Sequence, residues 1–134
     1  MTARDDRRRM LETLAMEALA HEAARDWRAA ADTRLVLADA FDELGYADRA
    51  RRERCQAHAA LIWLWMNAHH PHTRVVNIVP IRRSTKLECR SFEVLVPFHH
   101  DEVGHVMVSF DRRGIRLAVH PFTIRRGRHR PAVW

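Results

Sequence analysis

Histidine is the most frequent side chain in this sequence that could bind a metal. The chain of 134 residues contains ten histidines. In the hairpin register derived below, His105 and His120 lie opposite each other on neighbouring strands. The loop beside them holds His99, His100 and Asp101. Two imidazoles with a further nitrogen or oxygen ligand are donors that zinc accepts. The spacing matches no zinc signature, however, so we predict surface or partly packed histidines and no metal site.

Acidic side chains are a second possible source of chemistry. Asp39, Asp42 and Glu43 have the spacing that places three side chains on one face of a helix. Paired carboxylates can act as acid and base, but a solvated face that pairs with Arg34 or with arginines of the next helix is the simpler interpretation. The sequence contains no GxSxG, P-loop, dinucleotide-binding or HExxH motif. We therefore predict that the protein is not an enzyme and uses no cofactor.

Arginine offers a third chemistry, which is the binding of phosphate. A guanidinium fork binds phosphate in a bidentate manner, and about six to ten such contacts make affinity measurable and salt-sensitive. The alternative is that these side chains contact an acidic protein surface or solvate the sheet edges. Few aromatic residues lie near them, which disfavours a dedicated reader of single strands. The predicted nucleic-acid-binding residues are Arg82, Arg83, Lys86, Arg112, Arg113, Arg125, Arg126, Arg128 and Arg130.

The positive charge is unevenly distributed along the chain. Residues 1–70 contain 11 Arg and 12 Asp or Glu, a net charge of −1. Residues 71–134 contain 11 Arg, one Lys and 5 Asp or Glu, a net charge of +7. Because 22 of the 23 basic residues are arginine, a general compositional bias explains part of their number. The asymmetry between the halves is the stronger indication of a basic binding surface.

Helical periodicity governs the first half of the chain. One helix is predicted from Arg7 to about Ala30, with two apolar stripes that indicate neighbours on two sides. Asp32 is the predicted N-cap of a second helix, which ends at Gly45. A third helix is predicted from about Ala47 to Ala68 and ends before a proline. The second stripe of the first helix consists of Met16, Ala20, Ala23 and Trp27.

A period of two replaces the helical period after residue 71. Four strands are predicted, in "TRVVNIVPIR", "LECRSFEVLVPF", "GHVMVSF" and "IRLAVHPF". The turn "DRRG" pairs Phe110 with Ile115, and the same register sets Val106 opposite Val119 and His105 opposite His120. In the second predicted strand the apolar residues change from odd to even positions between Cys89 and Phe92, which predicts a bulge near Arg90 and Ser91. The expected fold class is α+β, with a three-helix layer packed on a four-stranded antiparallel β-meander.

Residues 31–56, "ADTRLVLADAFDELGYADRARRERCQ", resemble a short repeat-companion segment that is common in planctomycetes. The sequence departs from that pattern at Ala40 and Phe41, where the family has Trp-Leu, and lacks its Gly-Asp-Pro turn. The resemblance implies a helix–turn–helix hairpin that serves as an accessory in larger or multi-protein settings, and it implies no activity. The matching residues are Asp32, Arg34, Leu35, Val36, Leu37, Ala38, Asp39, Glu43, Gly45, Arg54 and Gln56.

Length and composition favour a single domain, residues 1–134, with a helical part (1–70) and a basic β-sheet part (71–134). The longest apolar stretch, Ala59–Met66, is shorter than the roughly 18 residues that a bilayer requires, so no membrane partner is expected. Cys55 and Cys89 form no CxxC pair, which predicts reduced thiols and a cytoplasmic protein.

These observations favour a non-enzymatic binding protein whose basic half contacts nucleic-acid backbone without reading its sequence. The alternative is a protein–protein adaptor or an assembly subunit of a larger complex. The partner is then nucleic acid in the first case and a protein with an acidic surface in the second.

Overall fold

The computed structural model describes residues 2–81, 90–97, 102–111 and 114–126, with backbone alone for Glu102, Asp111 and residues 117–126. Three helices precede a four-stranded antiparallel sheet of order β1-β2-β3-β4, which confirms the predicted α+β class. By internal contacts the chain forms two compact units, Met1–Leu61 and Ile62–Trp134. The elements are α1 (Ala3–Ala23), α2 (Trp27–Glu43), α3 (Ala47–His69), β1 (Asn77–Pro80), β2 (Ser91–Pro97), β3 (Glu102–Asp111) and β4 (Gly114–Arg126).

A capping box begins α1. The backbone N–H of Asp5 donates to the Thr2 hydroxyl oxygen at 3.2 Å, and the Thr2 backbone N–H donates to the Asp5 carboxylate at 3.2 Å. These two bonds satisfy donors that the first turn of a helix leaves without an internal partner. They hold the arginines that follow Thr2 in a helical conformation.

The end of α1 lies earlier than the sequence predicted. The expectation of one helix to about Ala30, followed by an N-cap at Asp32, is wrong. Arg25 adopts a φ of 58°, a left-handed conformation uncommon outside glycine, and breaks the helix. The side chain of Asp26 then caps α2 by accepting a hydrogen bond from the backbone N–H of Ala29 at 3.3 Å. The apolar stripe continues across this break, so periodicity alone could not reveal it.

The connection between α2 and α3 follows the prediction closely. Gly45 has a φ of 83° directly after the C-cap residue Leu44, as expected of a glycine that ends a helix. The backbone N–H of Tyr46 donates to the carbonyl of Phe41 at 2.9 Å, and that of Ala50 donates to the carbonyl of Tyr46 at 3.0 Å. The tight turn places the end of α2 beside the start of α3.

Small side chains form most of the core between the helices. One cluster contains Ala30, Ala31, Ala57 and Ala60, all buried, with Trp27 and Leu61 packed against it. A second cluster joins Leu37 and Phe41 of α2 to Ala50 of α3, with side chains of α1 against it. Alanine at these positions allows the helix backbones to approach closely, since little side-chain volume separates them.

One apolar stripe of α1 is not covered. Met16 is 71% exposed and Leu19 is 58% exposed, and Ala20 and Ala23 are also exposed. The prediction of neighbours on two sides of this helix is therefore wrong within the part of the chain that the structure describes. None of the described helices is long and apolar enough to cross a membrane.

The sheet buries one face of its central strands. In the β2–β3 register Phe92 pairs with Val108 and Val94 pairs with Val106, and Ile78 of β1 pairs with Val94. Phe92, Val94, Val108 and Ile78 have essentially no exposed surface. Pairing is continuous from Ser91 to Pro97, so the bulge expected near Arg90 and Ser91 does not interrupt β2 within its described length.

The β3–β4 hairpin keeps the predicted register only near its turn. Phe110 pairs with Ile115, as predicted, Val108 pairs with Leu117 in the same register, and Gly114 has a φ of 123°. The register then shifts between His105 and Met107. The predicted pairing of Val106 with Val119 is therefore wrong. Residues 119–122, which include a proline unable to donate to the ladder, are accommodated at this irregularity.

Candidate functional site

Most of the predicted nucleic-acid-binding residues lie outside the described residues. These are Arg82, Arg83, Lys86, Arg112, Arg113, Arg128 and Arg130. Arg125 and Arg126 lie in the last two paired positions of β4, with Val103 and Glu102 as their backbone partners. Their convergence into one basic surface stays a prediction.

The histidine pair that motivated a zinc site is not formed as predicted. His105 pairs with Thr123 and not with His120, because the register shifts between His105 and Met107. Nδ1 of His105 lies 2.8 Å from Oε2 of Glu93, and the His105 side chain is only 12% exposed. His99 and His100 lie outside the described residues. No group of three potential metal-binding side chains is found among the residues that the structure describes.

The acidic face of α2 pairs with α3, as the simpler interpretation predicted. A guanidinium nitrogen of Arg54 lies 3.2 Å from a carboxylate oxygen of Asp39 and also contacts the carboxylate of Asp42. The hydrogen bond to Asp42, together with the hydrogen bond to Asp39 and the charges of both carboxylates, outweighs the effect of desolvation and raises the pKa of Arg54. The carboxylates are thus engaged in a partly exposed ion-pair network between two helices.

A more sheltered network joins all three helices. Nε of Arg34 lies 3.0 Å from Oε1 of Glu22 on α1, and Nη1 of Arg34 lies 2.9 Å from Oε2 of Glu53 on α3. The Arg34 side chain is 8% exposed. Burial lowers the pKa of Arg34, but the hydrogen bonds and charges of both carboxylates outweigh it and raise that pKa overall. We assign this network a structural role, since each of its charged groups has an oppositely charged partner within the helices.

An open cavity of about 810 Å³ lies in the helical unit, Met1–Leu61. We call it the arginine groove. The first turns of α1 form one wall, and the end of α2 with the start of α3 forms the other. Its lining includes Arg4, Arg7, Arg49, Leu11, Phe41 and Tyr46.

Aromatic and cationic groups meet on one wall of the arginine groove. The guanidinium carbon of Arg49 lies 4.7 Å from the ring centroid of Phe41, a cation–π contact. The Phe41 and Tyr46 rings meet edge to face, with centroids 6.4 Å apart. Phe41 is buried, whereas 54% of Tyr46 is exposed. Phe41 thus fixes both neighbours, and Tyr46 offers ring surface to a ligand.

The groove carries an excess of positive charge. Four guanidinium groups and one carboxylate line it, a net charge of +3. Arg8 makes a single exposed contact to Glu12 at 3.7 Å, and the Asp5 carboxylate accepts hydrogen bonds from Thr2. Arg4, Arg7 and Arg49 make no ion pair with any described residue. Three guanidinium groups are therefore available to an anion.

Comparisons with family models, with curated proteins and with solved structures find no significant match to this chain. The site must therefore be interpreted from its own chemistry.

Sequence reasoning missed the arginine groove because its parts have ordinary sequence patterns. "ARDDRRRM" has the composition of a solvated helix start, and "RARRER" has that of a charged helix face. The i, i+3 spacing of Arg4 and Arg7 was the available signal, since it places both on one face of α1. Their approach to Arg49 depends on the turns at Arg25 and Gly45 and has no local sequence signature.

Cys55 also differs from its prediction. This side chain is fully buried in α3 and is disulfide-bonded. A reduced thiol was predicted for Cys55 because the two cysteines of the sequence form no CxxC pair. Local spacing fails here because a disulfide depends on the approach of distant residues in the folded chain.

Proposed function

We propose that this protein is a non-enzymatic binding protein that contacts nucleic-acid backbone through the basic half of its chain, residues 71–134. The observation that carries the proposal is the charge asymmetry, +7 in this half against −1 in residues 1–70. Backbone phosphates account for most non-specific affinity, and arginine is the side chain best suited to them.

The course of β4 supports this proposal. β4 is an outer strand of the sheet and continues to Arg126, so two of the predicted binding residues belong to a regular strand. A strand holds its backbone in a fixed register, which costs a ligand less ordering free energy than binding to a disordered tail. A cytoplasmic location belongs to the same proposal. The disulfide at Cys55 is the observation that counts against that location, because cytosolic thiols are kept reduced.

The test is binding of fluorescent duplex and single-stranded oligonucleotides of random sequence, measured by anisotropy. We expect affinity to fall by a factor on the order of 10³ between about 50 and about 200 mM salt if roughly six phosphates are contacted. Lack of binding at the lower salt concentration would overturn the proposal.

Two variants locate the binding surface. Deletion of residues 127–134 removes Arg128 and Arg130 and leaves β4 intact. The substitution pair Arg125→Gln/Arg126→Gln removes two charges from the strand itself. Each variant should reduce the salt slope by about 0.9 for every phosphate that the protein no longer neutralises. The matched control, Arg9→Gln/Arg28→Gln, removes two exposed charges from the helices, and an equal reduction of the slope in the control would contradict the proposed location.

An adaptor function is the second candidate, because Met16 and Leu19 leave an apolar stripe exposed on α1. A contiguous exposed apolar stripe is one form that protein–protein contact sites take. The accessory role implied by the resemblance of residues 31–56 is in keeping with it. A partner protein bound by the purified chain should no longer bind Met16→Gln/Leu19→Gln and should still bind Arg9→Gln. Binding to both variants would exclude this stripe as the contact surface.

A further inference from the structure

We propose that the arginine groove binds a nucleoside phosphate, with the phosphates on Arg4, Arg7 and Arg49 and the base against Tyr46. This site lies in the helical unit, outside the basic half that carries the proposed function, and it does not depend on that function. Its parts are the guanidinium groups that make no ion pair with a described residue, the exposed ring and the open groove between them.

The charge of the groove selects an anion with several negative charges. Arg4 and Arg7 come from one face of α1, and Arg49 comes from the first turn of α3. Each can donate two parallel N–H bonds, and none is neutralised by a described carboxylate. A single carboxylate can occupy only one such fork, whereas a di- or triphosphate presents oxygens to all three from one small molecule.

The aromatic wall of the groove provides a surface for the second part of the ligand, the base. Tyr46 is more than half exposed, yet the Phe41 contact holds its ring, and its backbone N–H is bonded to the Phe41 carbonyl. Little conformational entropy is therefore lost when a planar base stacks on Tyr46. Leu11 adds apolar surface to the same groove.

The size of the groove favours a small ligand over a peptide. Its volume of about 810 Å³ lies in the range of roughly 300–1,000 Å³ that is typical of small-molecule sites. An acidic peptide would have to place two or three carboxylates and an aromatic side chain in the same volume. A nucleoside phosphate carries both chemistries within one compact molecule.

Isothermal titration calorimetry at about 50 mM salt provides the test, with ATP, adenosine, inorganic tripolyphosphate and a short oligo-glutamate peptide as probes. We expect ATP to bind more tightly than any of the other three, with Kd at or below about 1 mM. The proposal is overturned if ATP does not bind in this range. It is equally overturned if tripolyphosphate binds as tightly as ATP, or if the peptide binds more tightly.

Substitutions test whether ATP binds in the arginine groove. Arg4→Gln/Arg7→Gln should weaken ATP binding at least tenfold, because two guanidinium groups that bind phosphate are removed. The control Arg9→Gln/Arg28→Gln, which removes the same charge outside the groove, should change it less than about twofold. A similar weakening in both would show attraction to net charge alone and would overturn the site.

Tyr46 separates base recognition from phosphate binding. Tyr46→Ala should weaken ATP about fivefold or more while leaving tripolyphosphate unchanged, since only ATP has a base to stack. Equal effects on the two probes would contradict the assigned role of the ring. Deletion of residues 127–134 should leave ATP affinity intact, so failure of the nucleic-acid proposal and failure of this one give different results.

Discussion

Nη1 of Arg34 lies 2.9 Å from Oε2 of Glu53, and this contact joins α2 to α3 in the interior of the helical unit. Glu22 of α1 bonds the same guanidinium from the other side at 3.0 Å. One arginine therefore satisfies two carboxylates and connects three helices. Buried alanines are frequent in these helices, so few large side chains interlock there, and the network contributes a directional contact between all three helices.

Replacement of Arg34 by Ala should destabilise the protein by about 3 kcal/mol, because two sheltered carboxylates lose their shared partner. Urea unfolding measures the decrease in the free energy of unfolding. The exposed Arg54 is the comparison, and Arg54→Ala should cost less than about 1 kcal/mol. Neutralising the whole network with Glu22→Gln/Arg34→Met/Glu53→Gln should recover much of the stability. Equal effects for Arg34 and Arg54 would show that burial does not determine the strength of these ion pairs.

The start of α1 should respond to acid through Asp5. Hydrogen bonds from the side chain and backbone of Thr2 hold the pKa of Asp5 below its ordinary value. A carboxyl with a lowered folded-state pKa contributes stability above its unfolded pKa, and this contribution disappears as pH falls through the folded pKa. An NMR titration should therefore place the pKa of Asp5 below its ordinary value. Thr2→Ala should move it upward and Thr2→Ser should not, and an unchanged midpoint in Thr2→Ala would refute this role of the hydroxyl.

Backbone NOE contacts should connect His105 with Thr123 and not with His120. The pairing of Phe110 with Ile115 serves as an internal standard, because it lies between the register shift and the turn. A His105–His120 contact would mean that the hairpin continues in register and that the two imidazoles lie side by side.

Cys55 should resist alkylation in the unfolded, unreduced chain, because it is disulfide-bonded. The only other cysteine in the sequence, Cys89, lies outside the described residues. The intact mass should rise by two hydrogens on reduction, and the reduced protein should be less stable by about 2–4 kcal/mol. Labelling of Cys55 without reductant would contradict the bond.

Features set by a few neighbouring residues were predictable from the sequence. Gly45 ends α2 and Gly114 begins β4 because each supplies a positive φ that other residues adopt with difficulty. The limits of α3 follow from the turn before Ala47 and from Pro71 after it. The register next to the Asp111–Gly114 turn also follows from the turn itself.

Features that depend on distant residues were not predictable in this way. Arg25 takes a left-handed conformation without being glycine, so the break between α1 and α2 has no residue signature. The register shift between His105 and Met107 does not change the alternation of apolar and polar residues along β3, because the extra residues belong to β4. The sequence of β3 therefore gives no sign of it. Arg34 was one of the two expected partners of the acids on its own helix, but its partners come from α1 and α3.

The two outer strands of the sheet, β1 and β4, also bear on whether copies of the chain can pair edge to edge. β1 has only four residues and ends in Pro80, and β4 includes Pro121 and several arginines. Proline removes a donor that an incoming strand needs, and like charges repel a second copy. The sheet thus has a long outer strand that is a poor template for strand addition, which protects the chain against edge-to-edge aggregation.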